Sequence, residues 1–375
     1  MASRLYPTTQ DLFRQVSMAL AWLGVLSMIG SPTQFNVMAL YIAGLILLQE
    51  RQTPWLIAQF LPGRCHDALN RLLRVVPWST RSLMRLLMAY AKRQVEDGYL
   101  SLDDVVIPKP FAKCIPWVGW TFSPSKGGKV RGLHIVVLLW CNGKLKIPVA
   151  FRLWRPRQNC RRGQYRTKIQ LARQMVIEVR AEGLPFEYIV FDSWYNAKWF
   201  AKWLNRCGII WVSVLKSNRC VVYRHRRQQV RHLAKTLHLQ WREQLALQAV
   251  ALRVYLPQYG TILLVVTRNG RGKWEYIVTN DLYADLTTVV ERKCSRWDIE
   301  EMFKDAQQMG GLAACQSRVD QAMVRHVALV LVTYVVLERL KLDPSETQGD
   351  VKRRFQLQAI TGDAKPPKPL RARAA

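Results

Sequence analysis

Three acidic positions in this sequence stand where an acid needs a ligand or a partner. The first is the run Ser101-Leu-Asp-Asp-Val-Val-Ile, two aspartates in a short apolar strand, where unpaired carboxylates are costly. Side chains alternate along a strand, so only one of Asp103 and Asp104 faces a given side. Apolar neighbours fall on both faces, so periodicity does not choose between them. The second is Tyr188-Ile-Val-Phe-Asp-Ser-Trp-Tyr-Asn, which puts Asp192 at the carboxyl end of a buried strand, where α/β sheets collect ligands. A helix N-cap would use the same residue type there. The third is Arg296-Trp-Asp-Ile-Glu-Glu-Met-Phe-Lys on a helix. At about 100° per residue, Ile299, Phe303, Ala306 and Gly310 form the buried stripe, with Arg296, Glu300 and Gln307 along its edge. Asp298, Glu301 and Asp305 point away from that stripe, so Glu300 is the acid that leans over a sheet.

Three carboxylates within about 5 Å of one another repel by ~3 kcal/mol per pair at an effective dielectric near 20. Divalent cations remove that penalty. Oxygen-only ligands suit Mg2+ or Mn2+, and two such ions can activate a water or a 3′-hydroxyl while stabilising the leaving oxygen of a phosphodiester. The eight cysteines are scattered with no Cys-x-x-Cys pair. They are expected as reduced intracellular thiols, with neither a zinc site nor a disulfide framework.

The elements that must position these acids follow from residue 100 onward. Strands are expected at 102–107, 132–141 and 144–154, the last two joined at Asn142-Gly143, a hairpin signal. A helix over 167–181, a buried strand over 186–191, a helix over 197–207 and a strand over 209–215 complete the element order of a ribonuclease-H-like α/β core. A β-rich insertion at about 216–285 interrupts that core, and a helix starting near Thr287 carries Glu300. Domains are therefore expected at 1–95 (helical), 96–342 (catalytic) and 343–375, a basic tail expected to be disordered. Within the first, the helical repeats at 68–74 and 82–88 could dock on DNA as a helix-turn-helix does, although core packing is the commoner use of such pairs. The apolar stretches 17–30 and 35–48 are each shorter than the roughly 20 residues of a spanning helix. They are expected as a buried helical hairpin about Ser31-Pro32, with no membrane partner.

Lysine and arginine number 56 against 26 acidic residues, a formal net charge of +30, which points to a polyanionic partner, DNA by default. Arg152, Arg155, Arg157, Arg161, Arg162, Arg166 and Lys168 crowd the stretch after the third strand, with Trp154 and Tyr165 among them. Phosphate contacts and some base stacking are expected there. Arg224, Arg226, Arg227 and Arg231 form a second, less specific cluster.

Taken together, the three blocks resemble the DDE transposases of bacterial insertion sequences, in the group whose inserted β-region separates the second aspartate from the glutamate. That group's third block reads Tyr, two residues, Arg, three residues, Glu, six residues, Lys. Arg296 and Glu300 match it, Lys293 and Gln307 stand at the tyrosine and lysine positions, and Lys304, one turn earlier, is the candidate replacement cation. The first block is an Asp-Asp-Thr-like run, which favours Asp104 over Asp103. The resemblance covers roughly residues 100–340. It implies catalytic, metal-binding Asp104, Asp192 and Glu300, two Mg2+ or Mn2+ ions as cofactors, transposon ends and target DNA as partners, a homodimer on DNA, and a place at the cytoplasmic nucleoid. A structure-selective nuclease on the same core, or a DNA-binding protein without catalysis, is the alternative. A basic peripheral membrane protein would leave Asp192 and Glu300 unexplained.

Overall fold

The computed structural model describes residues 7–49, 52–61, 66–94, 97–115, 117–123 and 127–361. The chain divides into two compact units, one of residues 1–90, 106–133 and 302–375, the other of residues 91–105 and 134–301.

The first unit is mainly helical, with α1 (Pro7–Trp22), α2 (Val25–Ile29), α3 (Pro32–Leu47), α4 (Pro54–Phe60), α5 (His66–Arg74), α6 (Thr80–Lys92), α12 (Asp320–Arg339) and α13 (Gln348–Thr361). Ser31 caps α3 and Pro32 occupies its first turn, where a missing N–H costs nothing. The side chains of α3 from Val37 to Ile46 are all buried, so the second apolar stretch is a core helix. α12 is long and apolar enough to cross a membrane by length and composition alone, and most of it is buried inside the unit.

Arg325 and Lys352 are buried cations of this helical unit. The Arg325 guanidinium, 2% exposed, donates to the carbonyls of Leu72, Leu73 and Trp78, satisfying the end of α5, where acceptors are left over. Lys352 on α13 does the same for α3, donating to Leu45 O (3.3 Å) and Leu48 O (2.9 Å), and also to Met309 O (2.8 Å). Burial pushes its ammonium down to about 8. The stretch from 343, expected to be disordered, thus carries a docked helix with Val351 and Phe355 buried. Residues 365–375 of that expected tail lie outside the described residues, as does Cys65; the seven cysteines among the described residues are free.

The second unit holds most of a mixed sheet. Its strands and helices are β1 (Tyr99–Pro108), β3 (Gly128–Cys141), β4 (Lys146–Trp154), α7 (Lys168–Ala181), β5 (Tyr188–Phe191), α8 (Lys198–Arg206) and β6 (Ile210–Val214); β2 (Val118–Ser123) and the start of β3, with which it pairs, are counted in the first unit. β3 and β4 are antiparallel, β1 and β5 parallel, β5 and β6 parallel. The resulting order β4-β3-β1-β5-β6 is that of the ribonuclease-H-like core. The hairpin turn falls at Asn142-Gly143, where Gly143 takes φ 82°. Thr167 and Gln170 close a capping box at the start of α7, which fixes where that helix begins.

Strands β7 (Cys220–Tyr223), β8 (Arg226–Gln229), β9 (Gln240–Arg242), β10 (Leu247–Leu256), β11 (Gly260–Asn269) and β12 (Trp274–Thr279) make up the β-rich insertion. They continue the same sheet, β12 pairing antiparallel with β6. Pairing there covers what would be an open strand edge. Val190, Val212, Val265, Ile277 and Val289 form one buried cluster across core and insertion. The expected helix from Thr287 is two helices, α10 (Leu286–Cys294) and α11 (Trp297–Gln308), with Arg296 in the turn between them.

Candidate active site

Pairing between β1 and β5 sets the register Leu100↔Ile189, Ser101↔Val190, Leu102↔Phe191. One step on lie Asp103 and Asp192. In-register neighbours on parallel strands point the same way, so Asp103 is the aspartate of the pair that shares a face with Asp192, and Asp104 points to the opposite one. β5 stops at Phe191, and Asp192 Oδ1 accepts the N–H groups of Trp194 (2.9 Å) and Tyr195 (3.1 Å). That is an aspartate-closed turn. The N-cap of α8 is Ala197, so Asp192 does not serve as that helix's cap.

Arg296 joins the third block to the first. Its guanidinium donates to Asp103 Oδ2 at 2.9 Å and to Glu300 one turn along α11. Burial works against its charge, but the carboxylates of Asp103, Glu300 and Asp192 raise its affinity for the proton. Asp103 is under the opposite stress. Burial and the adjacent Asp192 carboxylate push it up to about 7 against the pull of Arg296. Burial likewise raises Asp192, with the two turn N–H groups and Arg296 opposing.

Asp104, the expected first ligand, is engaged elsewhere. Its Oδ2 accepts from Lys168 Nζ at 2.6 Å and faces His134 Nδ1 at 3.5 Å, while its Oδ1 accepts the Tyr195 hydroxyl at 2.9 Å. Burial alone would raise this carboxyl, but His134, Lys168 and Tyr195 together hold it below the ordinary carboxylate range. The reason lies in the strand. Leu100, Ser101 and Leu102 are all fully buried, so β1 is covered on both faces and the flanking residues carry no sign of which aspartate faces which way.

Lys168 is correspondingly committed to Asp104, and Arg152 is held by both oxygens of Glu178 (2.7 and 2.6 Å). Arg155 is partly buried, whereas Arg157, Arg161, Arg162 and Arg166 are exposed on the connection from β4 to α7. Arg224, Arg226, Arg227 and Arg231 are exposed, the first three at the β7–β8 hairpin. Lys304 and Gln307 on α11 are also exposed. Asp298 differs from its expected outward placement, since Tyr99 donates to it and Lys146 pairs with it at 2.9 Å. Lys146 also bonds Glu301.

Sequence reasoning did not single out Tyr195, His134, Lys146 or Tyr99. Only Tyr195, three residues after an aspartate that ends a strand, carried a usable signal, because that spacing suits an aspartate-closed turn.

Arg296 bonds Asp103 and Glu300, and the Asp192 carboxylate acts on Asp103, so three acids whose oxygens suit a hard divalent ion lie about one cation. Among the described residues, no three His, Cys, Asp or Glu side chains converge closely enough to hold a metal ion. Arg296 supplies the positive charge in this arrangement.

Residues 25–236 match the family described as DDE superfamily endonuclease, and residues 149–342 match one described as archaeal putative transposase ISC1217. No curated protein matches the chain significantly. Among solved structures, a chain in the cryo-EM structure of a piggyBac transposase synaptic complex with hairpin DNA is similar over 93% of this chain and 77% of that chain. The identity is 13% and the TM-score 0.46.

Proposed function

Since the chain belongs to the DDE superfamily of endonucleases, we propose that it is a transposase that cuts DNA at transposon ends and joins them to target DNA, through Asp103, Asp192 and Glu300. The observation that carries this reading is the gathering of β1, β5 and α11 acids about a single guanidinium, Arg296. Asp103 takes the role that the family resemblance implied for Asp104.

These three carboxylates would hold Mg2+ or Mn2+, and two such ions, when bound, supply the charge that favours an oxygen nucleophile and stabilises the leaving oxygen. The protein's own residues hold each acid in place. The Trp194 and Tyr195 N–H groups fix Asp192, and Arg296 offsets the repulsion between Asp103 and its neighbours before a ligand arrives. Arg157, Arg161, Arg162 and Arg166 supply exposed charge for DNA phosphates. A homodimer on DNA, working in the cytoplasm at the nucleoid, is the assembly this function calls for.

The test is incubation with a labelled cognate end, a target plasmid and Mg2+. Nicked and joined products are expected with Mg2+ or Mn2+ and none in a chelator. Cleavage without joining would assign the chain to the nucleases instead.

A further inference from the structure

Asp104 and Tyr195 connect the first two acids through an unbroken chain of hydrogen bonds. The Asp104 N–H donates to Asp103 Oδ1 at 2.8 Å. The Tyr195 hydroxyl donates to Asp104 Oδ1 at 2.9 Å, and the Tyr195 N–H donates to Asp192 Oδ1 at 3.1 Å. One residue therefore grips the second acid with its backbone and reaches under the sheet to the first acid's neighbour with its side chain.

The tyrosine at its centre and the histidine beside Asp104 are shielded from water. Tyr195 is fully buried and His134 is 1% exposed. Lys168, locked on Asp104, lies 5.1 Å from the centroid of the Trp194 ring, so the residue just before Tyr195 in the turn is restrained as well. Ser213 on β6 donates to the Asp192 carbonyl at 3.1 Å, which holds the backbone of the same turn from the other neighbouring strand. Both turn N–H bonds use Asp192 Oδ1, and that leaves Oδ2 as the oxygen a ligand can claim.

We propose that Asp104 and Tyr195 are positioning residues that set the Asp192 carboxylate relative to Asp103, so that both present an oxygen to the same divalent ion. The inference rests on the proposed function for its account of why those oxygens matter. The geometry explains why two adjacent aspartates occupy β1. Asp103 faces the ligand, and Asp104 anchors the tyrosine that orients the second acid. Partners that orient a carboxylate ligand commonly contribute about 10–100-fold to metal affinity or activity.

The test is Mn2+ binding to the full chain without DNA, followed by electron paramagnetic resonance, beside cleavage of a pre-nicked labelled end. Tyr195→Phe removes one hydroxyl and keeps the ring. It is expected to weaken Mn2+ binding about tenfold or more, to lower kcat at saturating DNA, and to leave the DNA Kd unchanged. Excess Mn2+ should restore part of the rate, which a merely destabilised protein would not show. Asp104→Asn keeps an acceptor for the tyrosine and should retain more Mn2+ affinity than Asp104→Leu, and it serves in place of Tyr195→Phe should that variant fail to fold. Wild-type Mn2+ affinity in Tyr195→Phe, or equal loss in Asp104→Asn and Asp104→Leu, would overturn the proposal. Asp103→Ala separates the two levels. If it cleaves DNA normally, the proposed function fails; if it is inactive while Tyr195→Phe binds Mn2+ normally, only the positioning role fails.

Discussion

At the scale of single residues, the adjacent aspartates of β1 have opposite surroundings and should respond differently to the same change. Asp103→Ala is expected to abolish cleavage while leaving DNA binding near wild type, because it removes a carboxylate from the face shared with Asp192 and leaves the exposed arginines in place. Asp104→Asn should keep measurable cleavage. Parallel gel-shift and cleavage assays decide, and inactivity of the second with full activity of the first would reverse the strand-face assignment. That assignment was illegible in the sequence because β1 is buried on both faces, so no alternation marks a solvent side. The place of Glu300 was legible, since its helix has one apolar stripe and the acid lies on the stripe's edge, where it meets Arg296. A second residue-scale expectation concerns His326, whose Nδ1 meets the Tyr41 hydroxyl at 2.8 Å and whose Nε2 meets the Gly311 carbonyl at 3.0 Å. Burial lowers it from 6.5 to about 4. The unfolded chain thus takes up a proton in that window that the folded chain refuses, and stability falls as pH drops through it, by about 3 kcal/mol in all. Thermal melts of His326→Gln between those pH values should show a flatter acid limb than wild type; identical limbs would mean His326 is not the group responsible.

Among the elements, α13 is tied to α3 by a buried ammonium. Lys352 holds two carbonyls at the end of α3, the negative pole of that helix. Its folded value lies near 8, below the ordinary 10.5. Between those values the unfolded chain binds the extra proton, so this group's contribution to stability rises with pH across that window and is flat below it. Lys352→Met should remove the rise. Denaturant melts at pH 7 and pH 10 are the measurement, and a wild-type-like gain in the variant would show that another group titrates. The same helix marks a limit of sequence reading, because a short polar segment near a charged terminus looks disordered until its few apolar residues, Val351 and Phe355, are seen buried. Other elements were plain, each through a local signal. The β3–β4 hairpin followed from Asn142-Gly143, and the helix expected over 167–181 begins at the Thr167 cap. The continuation of the sheet from β6 into β12 was not legible, since strand partners distant in sequence leave no local trace.

For the whole molecule, the net charge of +30 dominates its encounter with DNA. With about 6–10 phosphate contacts, affinity should fall some 10³–10⁵-fold between 50 and 200 mM salt. Replacing Arg161 and Arg162 by alanine should lower the slope of log Kd against log salt by roughly 1–2 for every DNA sequence alike, because phosphate contacts carry no base information. An unchanged slope would move the DNA path to the exposed arginines at the β7–β8 hairpin.

The spacing of the acids also sets a clock on synthesis. Asp103 and Glu300 are separated by almost two hundred residues, with the whole β-rich insertion between them. At ~5–20 residues per second on the ribosome, roughly 10–40 s pass between the first acid and the last. During that interval the growing chain already carries the exposed arginines after β4 and lacks the third carboxylate, so, on the proposed function, the charge offered to DNA is made well before the acid set is complete.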